Sequence, residues 1–429
     1  MKTLFLLLYF AVTISPSHSA LIDHHIRNKI EEFNIRPVKT LPINPNRPLI
    51  ELGHQLFEEK KLSGNRTISC KTCHNPDTGT SDGLPLSQTE NKKGILRRNA
   101  PALYNAGLAS HNFMFWDGRI YYDPKTKIFT TPEELLNGEN PKASEITSVL
   151  TSALAAQALF PLVSRNEMMG NAGENEIADA PDTMRAWDKI IERLKNENPT
   201  GVDTESYAAL FSKAYPEISP DNINIGHVGE AIAAFEREEF QSTGSPFQKY
   251  LRGDNGAMTR EQKEGFAVFM GRGHCIQCHT GGELGEKNMF ASVASPQWGE
   301  APLVLDKGRG EITGDEKRNF FFLVPSLLNI NLTGPYMHNG AYQTLREVID
   351  HYDYVSESLN NFVITPELQK KIPVKVAVAG SQVILDDIWL SSQSGLFPEL
   401  KNRLRLNDQE KDYLEIFLKE ALTDPKWDR

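Results

Sequence analysis

The sequence predicts a mainly α-helical chain made of two related halves, and three observations predict it. All four cysteines fall into two copies of one pentapeptide, Cys70-Lys71-Thr72-Cys73-His74 and Cys275-Ile276-Gln277-Cys278-His279. A helical segment of matching pattern precedes each copy: GHQLF from Gly53 to Phe57, and GFAVF from Gly265 to Phe269, the second opened by the capping-box pair Thr259 and Gln262. Pro-x-Leu-x-Asn follows each copy, as Pro101, Leu103 and Asn105 and again as Pro325, Leu327 and Asn329. A bulky residue two before a glycine comes next, in Trp116-Asp117-Gly118 and in His338-Asn339-Gly340. Chance produces single pairs of this kind; their shared order argues for duplication. Strand signals are weak throughout.

The elements follow in chain order. Lys2, an apolar run from Leu4 to Ile14 and the small polar segment Ser15 to Ala20 have the layout of a secretory signal peptide over residues 1–20, cleaved after Ser19 or Ala20. The run is too short to cross a bilayer and no later stretch approaches the required length, so an exported chain without a membrane span is expected. Residues 21–47 form an N-terminal arm, in which the segment Arg36 to Pro48 holds four prolines and reads as an extended strap. The first half covers 48–240 and ends on an amphipathic helix with Ile225, Val228, Ile232 and Phe235 on one face. Gly244, Pro246, Gly253 and Gly256 mark 241–257 as the linker. The second half, 258–429, closes on a similar face of Leu414, Phe417, Leu418 and Leu422.

The CxxCH spacing is that of covalent c-type haem attachment: two thiols take the vinyl groups and the adjacent histidine, His74 or His279, becomes the proximal iron ligand. Zinc ribbons set their CxxC pairs about 15 to 20 residues apart, far closer than Cys70 and Cys275. Neither zinc nor thiol redox chemistry nor a disulfide explains a histidine directly after both pairs. The halves are therefore expected to be two cytochrome c-like haem domains related by duplication, carrying two covalently bound haem c groups. Haem attachment outside the cytoplasm agrees with export, and in a bacterium places the chain in the periplasm. The formal charge of −10 over 429 residues argues against nucleic acid as a partner and tolerates a basic one.

From about Pro48 to the C-terminus the chain resembles the bacterial di-haem cytochrome c peroxidase family, in its MauG-like branch. The residues that carry the likeness are CKTCH, RNAPALYN (Arg98 to Asn105), FWDGR (Phe115 to Arg119), QALFPLVSRNEM (Gln157 to Met168), CIQCH and LTGPYMHNG (Leu332 to Gly340). A lone CxxCH occurs in any cytochrome c; the set is specific. The resemblance implies a peroxidatic haem in the N-terminal half, an electron-transfer haem in the C-terminal half and one calcium ion between them. It places Gln157, Pro161 and Glu167 in the distal pocket of the first haem, with Glu167 as the acid/base that heterolysis of peroxide needs. It sets Trp116 between the haems, and makes Asn99, Thr333 and Pro335 the calcium ligands, oxygen donors suited to a hard cation. Plainer readings stand beside these: a surface glutamate, a packing tryptophan, a proline that shapes a turn. Two stretches exceed the family's core, 120–156 and 353–404, and are expected to be surface excursions.

The sixth iron ligand decides what each haem does, because only an open position binds peroxide. No histidine or methionine lies between His74 and His111, and the loop where many relatives carry a distal histidine reads Ser87-Gln88-Thr89-Glu90-Asn91. The first haem is thus expected to stay open, with His111 and Met114 as ligands from elsewhere the remaining options. For the second haem the nearby residues are Met337, His338, His351 and Tyr352. Leu345, Val348, Ile349 and Tyr352 share one helical face, and His351 lies about 100° from Tyr352 around that helix. The resemblance places Tyr352 where the family's peroxidases carry methionine and where MauG carries tyrosine. A phenolate holds an oxidising equivalent, whereas methionine raises the haem potential. Met337 as ligand, with Tyr352 a core aromatic, is the competing assignment. Gly273 stands where MauG has a surface tryptophan that passes holes to its protein substrate; glycine cannot relay a hole, so another aromatic would have to serve.

Three functions compete on this reading. One is reduction of hydrogen peroxide at the first haem, with electrons from a small cytochrome c or a cupredoxin relayed through the second. Another is MauG-like use of peroxide to modify a partner protein. The third is a di-haem electron carrier with no enzymatic role, against which the missing loop histidine argues. The sequence leaves a homodimer open.

Overall fold

The computed structural model describes residues 18–199, 205–285, 288–292, 294–383 and 402–428. Residues 1–17 of the segment 1–20 expected to be a signal peptide lie outside the described residues, as does 384–401 of the second excursion. The chain is mainly helical. Strands are two to four residues long: Phe113–Met114, Ile120–Asp123 and Ile128–Thr130 form one antiparallel sheet, Phe290–Ser292 pairs with Phe321–Leu323, and Trp298–Glu300 pairs with Val376–Val378.

Each half is organised around one close helix crossing. Arg47–Glu58 packs on Ile225–Glu239, and Arg260–Met270 packs on Asp408–Ile416. The glycines of the two matching pentapeptides explain the closeness. A Cβ on Gly53 would lie 2.0 Å from the Ala231 carbonyl oxygen, and one on Gly265 would lie 2.0 Å from that of Tyr413. Both predicted apolar faces are buried, from Ile225 to Phe235 and from Leu414 to Leu422, although the second helix finishes in a π turn, Phe417–Ala421.

The two Pro-x-Leu-x-Asn motifs also do the same work. Asn105 and Asn329 both adopt left-handed backbone, φ +57° and +61°, which asparagine tolerates better than other residues with a Cβ. Asn105 N–H donates to Phe240 and its Oδ1 accepts from Ser242 N; Asn329 N–H donates to Leu422 and its Oδ1 accepts from Asp424 N. Each asparagine therefore fastens its loop to the end of the long helix of its own half. The two clasps meet, since Asn329 Nδ2 donates to Ser242 Oγ at 2.8 Å and Asp424 accepts from the Thr243 and Gly244 amides.

Several stretches differ from expectation. Residues 36–46 of the expected strap are neither helix nor strand, but its last two, Arg47 and Pro48, open the helix Arg47–Glu58; His18–Glu32 is also a helix, and Ile22, Ile26 and Ile30 bury themselves in the core of the second half. The C-terminus returns the exchange: Trp427 packs against Tyr104 and Phe240 in the core of the first. The linker contains the helix Pro246–Leu251, whose Phe247 and Tyr250 are fully buried in the second core. Excursion 120–156 supplies Ile120, Phe129, Leu136 and Ile146 to the first core, so it is part of that domain and not a surface addition. Turn residues and β-bonded segments hid this periodicity, because a core contributed one residue at a time shows no repeat.

Between the halves lies a buried ion-pair cluster. Arg98 forks onto Asp306 at 2.7 and 2.8 Å and also bonds Asp117 of the FWDGR segment. Burial opposes the charge on Asp306, yet the fork holds that carboxyl well below the usual range.

Candidate active site

Both CxxCH segments begin a tight turn that presents its histidine inward: Cys70–Cys73 is one turn of α-helix, and Cys275–Gln277 a 3₁₀ turn. His74 Nδ1 lies 3.2 Å from the Thr80 carbonyl oxygen, and His279 Nδ1 lies 2.8 Å from that of Leu284. A carbonyl only accepts, so in the neutral ring each Nδ1 carries the proton. Burial lowers the pKa of both imidazoles, that of His279 to about 4. A neutral ring fixed in this tautomer by a backbone oxygen is what a metal asks of a histidine ligand.

The thiols have the opposite electrostatics from a redox pair. Burial, then the charges of Asp82 and Glu167, push Cys73 up to about 12, and burial pushes Cys275 to about 12. Reactive thiols sit instead in exposed, electropositive surroundings that lower the pKa. None of the four is in a disulfide. Among the described residues no group of three or more His, Cys, Asp or Glu side chains converges on a metal position.

His74 and His279 open onto one apolar cavity of about 360 Å³. Its wall includes Gln157 and Met114 on the first side, Trp116, Asn99, Thr333 and Pro335 in the middle, and Tyr352, Leu345 and Ile349 on the second. Trp116 is held at both ends: Nε1 donates to the Asn99 carbonyl at 3.0 Å, and its own carbonyl accepts from Leu323 N–H at 2.7 Å. Asn99 Nδ2 donates to the Pro335 and Leu84 carbonyls at 3.0 and 3.1 Å. Tyr352 faces the second motif; burial, then the neighbouring Cys278 and Cys275, raise its pKa. Met337 also reaches the cavity wall but packs with the cluster of Trp298, Tyr342 and Leu368.

The remaining predicted residues are spread more widely. Pro161 opens the 3₁₀ turn Pro161–Val163, and Glu167 sits half-buried in the π turn Arg165–Met169, near enough to Cys73 for its charge to act on that thiol. His111 bonds Glu283 of the second half at 3.1 Å. His338 is buried and stacks on Phe322 at 3.7 Å. His351 is fully buried on the far side of its helix from the cavity.

A family description, di-haem cytochrome c peroxidase, matches residues 47–256. The cytochrome c551 peroxidase of Pseudomonas aeruginosa is 30% identical over 302 residues, 70% of this chain and 70% of that one. The chain belongs to the di-haem cytochrome c peroxidase family. Its members carry covalently bound haem c, and this chain is an oxidoreductase of the cytochrome c peroxidase type. The methylamine utilization protein MauG of Methylorubrum extorquens is 29% identical over 315 residues, 73% of this chain and 70% of that one, so the di-haem peroxidase family here includes both kinds of relative. A solved structure described as a MauG-like protein associated with microbial copper homeostasis matches 92% of this chain and 95% of its own, at 25% identity and a TM-score of 0.61.

Sequence reasoning missed three carboxyls around the di-haem site, the buried Glu236 and Glu283 and the half-buried Asp82. Asp82 lies beside His74, Glu283 holds His111, and Glu236 faces Cys70 with one oxygen unpartnered. No spacing rule marks them, because each meets its neighbour only through the fold; the sole local hint is Glu283, four residues after His279. Burial pushes Glu236 up to about 8, so at neutral pH it stays protonated when folded and ionises when unfolded. Its stabilising effect is complete below about pH 4.5 and is lost as pH rises through 8. Glu236→Gln is therefore expected to stabilise the holoprotein at pH 7 by about 3 kcal/mol relative to its effect at pH 4.5. Urea midpoints at the two pH values measure this; equal shifts would mean the carboxyl is ionised in the native state.

Proposed function

We propose that this chain reduces hydrogen peroxide at the N-terminal haem, held by Cys70, Cys73 and His74, with electrons passed through a C-terminal haem held by Cys275, Cys278 and His279. Electrons come from a small cytochrome c or cupredoxin in the periplasm. The reading rests on one observation above the others, a single apolar cavity walled by both motif histidines, Trp116, Gln157 and Tyr352. Two imidazoles that burial keeps neutral and four thiols outside any disulfide suit two covalent haems. When bound, haem c supplies peroxide cleavage at an open iron and electron transfer at a closed one.

The chain's own residues then have distinct tasks. Glu167 takes a proton from peroxide and returns it to the departing oxygen, while Gln157 and Pro161 orient the peroxide and limit water. The loop from Ser87 to Asn91 offers no imidazole to cap the first iron. Tyr352 would be the side chain that holds the second. Trp116, pinned by Asn99 and Leu323, keeps its indole in the wall shared by both sites. The amide of Asn99 already gathers the carbonyls of Leu84 and Pro335; Asn99, Thr333 and Pro335 would be the residues that hold a calcium ion. The matched helix crossings and asparagine clasps support an origin by duplication.

Tyr352 facing the second motif favours one further reading, MauG-like oxidation of a partner protein, since a phenolate retains an oxidising equivalent that methionine would release. Electron paramagnetic resonance of the ferric holoprotein separates the possibilities. One high-spin and one low-spin signal are expected, with rapid turnover of peroxide when a reduced cytochrome is supplied. Two low-spin signals would remove the enzymatic account, and slow cytochrome oxidation with oxidative change in a partner protein would favour the second reading.

A further inference from the structure

The second excursion begins directly after the helix that carries Tyr352. The helix Leu345–Asp353 is followed at once by Val355–Asn361, and the two are joined by a buried polar cluster. His351 Nδ1 lies 2.9 Å from Tyr342 OH and 3.1 Å from Ser358 Oγ, and the two hydroxyls lie 2.8 Å apart. His351 is 0% exposed and Tyr342 7%, so the bond between them is shielded from bulk water, while Ser358 is half-buried. The three residues come from three segments: the loop after LTGPYMHNG, the ligand helix and the excursion.

The rest of the excursion backs the same helix. Leu368 and Ile372 form a small core with Tyr342, Ala341 and Trp298, against which Val348 of the ligand helix packs. Val376–Val378 ties that core down by pairing with Trp298–Glu300. Asp353, at the helix end, accepts from Leu406 N–H at 3.0 Å and pairs with Lys411 at 3.0 Å. One face of the helix thus lines the haem cavity through Leu345, Ile349 and Tyr352, while the other is fastened by His351. The rings of His351 and Tyr352 are 5.2 Å apart. A side chain held on one helix face fixes the rotation of the other, since neighbours differ by about 100° around the axis.

We infer that Ser358, His351 and Tyr342 are positioning residues for Tyr352, and that the segment 355–378 holds the helix Leu345–Asp353 in register with the second haem motif. This rests on the reading that Tyr352 coordinates the second iron. A phenol oxygen tolerates little displacement, because the coordination bond is short and directional, whereas a buried cluster of three mutually bonded polar groups resists rotation as a unit.

The test uses the di-haem holoprotein with Ser358→Ala, Ser358→Thr and Tyr342→Phe. Displacement of the side-chain ligand of the second haem by imidazole is followed through its low-spin resonance signal. Ser358→Ala and Tyr342→Phe are expected to broaden that signal and to halve it at roughly fivefold lower imidazole, the size of one lost hydrogen bond. Ser358→Thr keeps the hydroxyl and should match the parent. Exposed Glu357→Gln, one residue away, serves as the control. An unchanged signal and midpoint in both Ser358→Ala and Tyr342→Phe overturns the inference. Should Tyr352→Met leave the low-spin signal untouched, the ligand assignment fails instead, so the two failures are distinct.

Discussion

Glu167→Gln is expected to lower kcat/KM for hydrogen peroxide on the order of 10²–10⁴-fold, the range a positioned general acid/base contributes. The amide keeps the shape of the side chain and loses the proton exchange. Glu167 lies in the turn Arg165–Met169, half-buried, with Met168 and Met169 inward and Arg165 outward, so the turn has packing of its own and should survive the change. Haem content and resting spectrum should match the parent. Stopped-flow loss of peroxide under reducing conditions measures the effect. Turnover within threefold of the parent would return Glu167 to an ordinary surface carboxylate.

Tyr352→Met should raise the reduction potential of the second haem by about 0.1–0.3 V, a fraction of the roughly 0.8 V over which axial ligands set haem potentials. Thioether sulfur favours the reduced iron and anionic phenolate the oxidised one. Tyr352 is well placed for this because it lines the cavity beside the second motif, where burial raises its pKa. Electron delivery from a high-potential donor should become faster in the variant and storage of oxidising equivalents poorer. Spectroelectrochemical titration decides it. If Met337→Ala shifts the potential and Tyr352→Met does not, the ligand is Met337.

What the sequence made legible is what repeats or alternates. The CxxCH pairs, the glycine-bearing helices before them and the apolar faces of Ile225–Phe235 and Leu414–Leu422 all obey local spacing, and the structure puts each where that spacing says. The two Pro-x-Leu-x-Asn motifs were visible as a repeat, but their purpose was not, since Ser242 and Asp424 are far from Asn105 and Asn329 in sequence. Polar residues were the least legible. Ser358 looks like any serine in an exposed helix until Tyr342 and His351 are seen against it, and Glu236 looks like part of a charged run in EREEF until Cys70 is found beneath it. Pattern reports which side of an element is inside; it carries no information on which buried carboxyl meets which partner. The first helix, His18–Glu32, was lost for a different reason: it adjoins a segment whose composition pointed to export, and its isoleucines at 22, 26 and 30 were left within an arm.

Crossing of the two chain ends has a consequence for how the molecule is made. The helix His18–Glu32 is made long before the surface that receives it, because its partner is the helix Arg260–Met270, to which Asp23 is tied through Lys263, with Tyr250 as a second bond to Asp23. At 5–20 residues per second that interval is roughly 12–48 s. During it three isoleucines have no shelter. The arm therefore closes over the second half as a late step, after the helix that leads into Cys275 has been made.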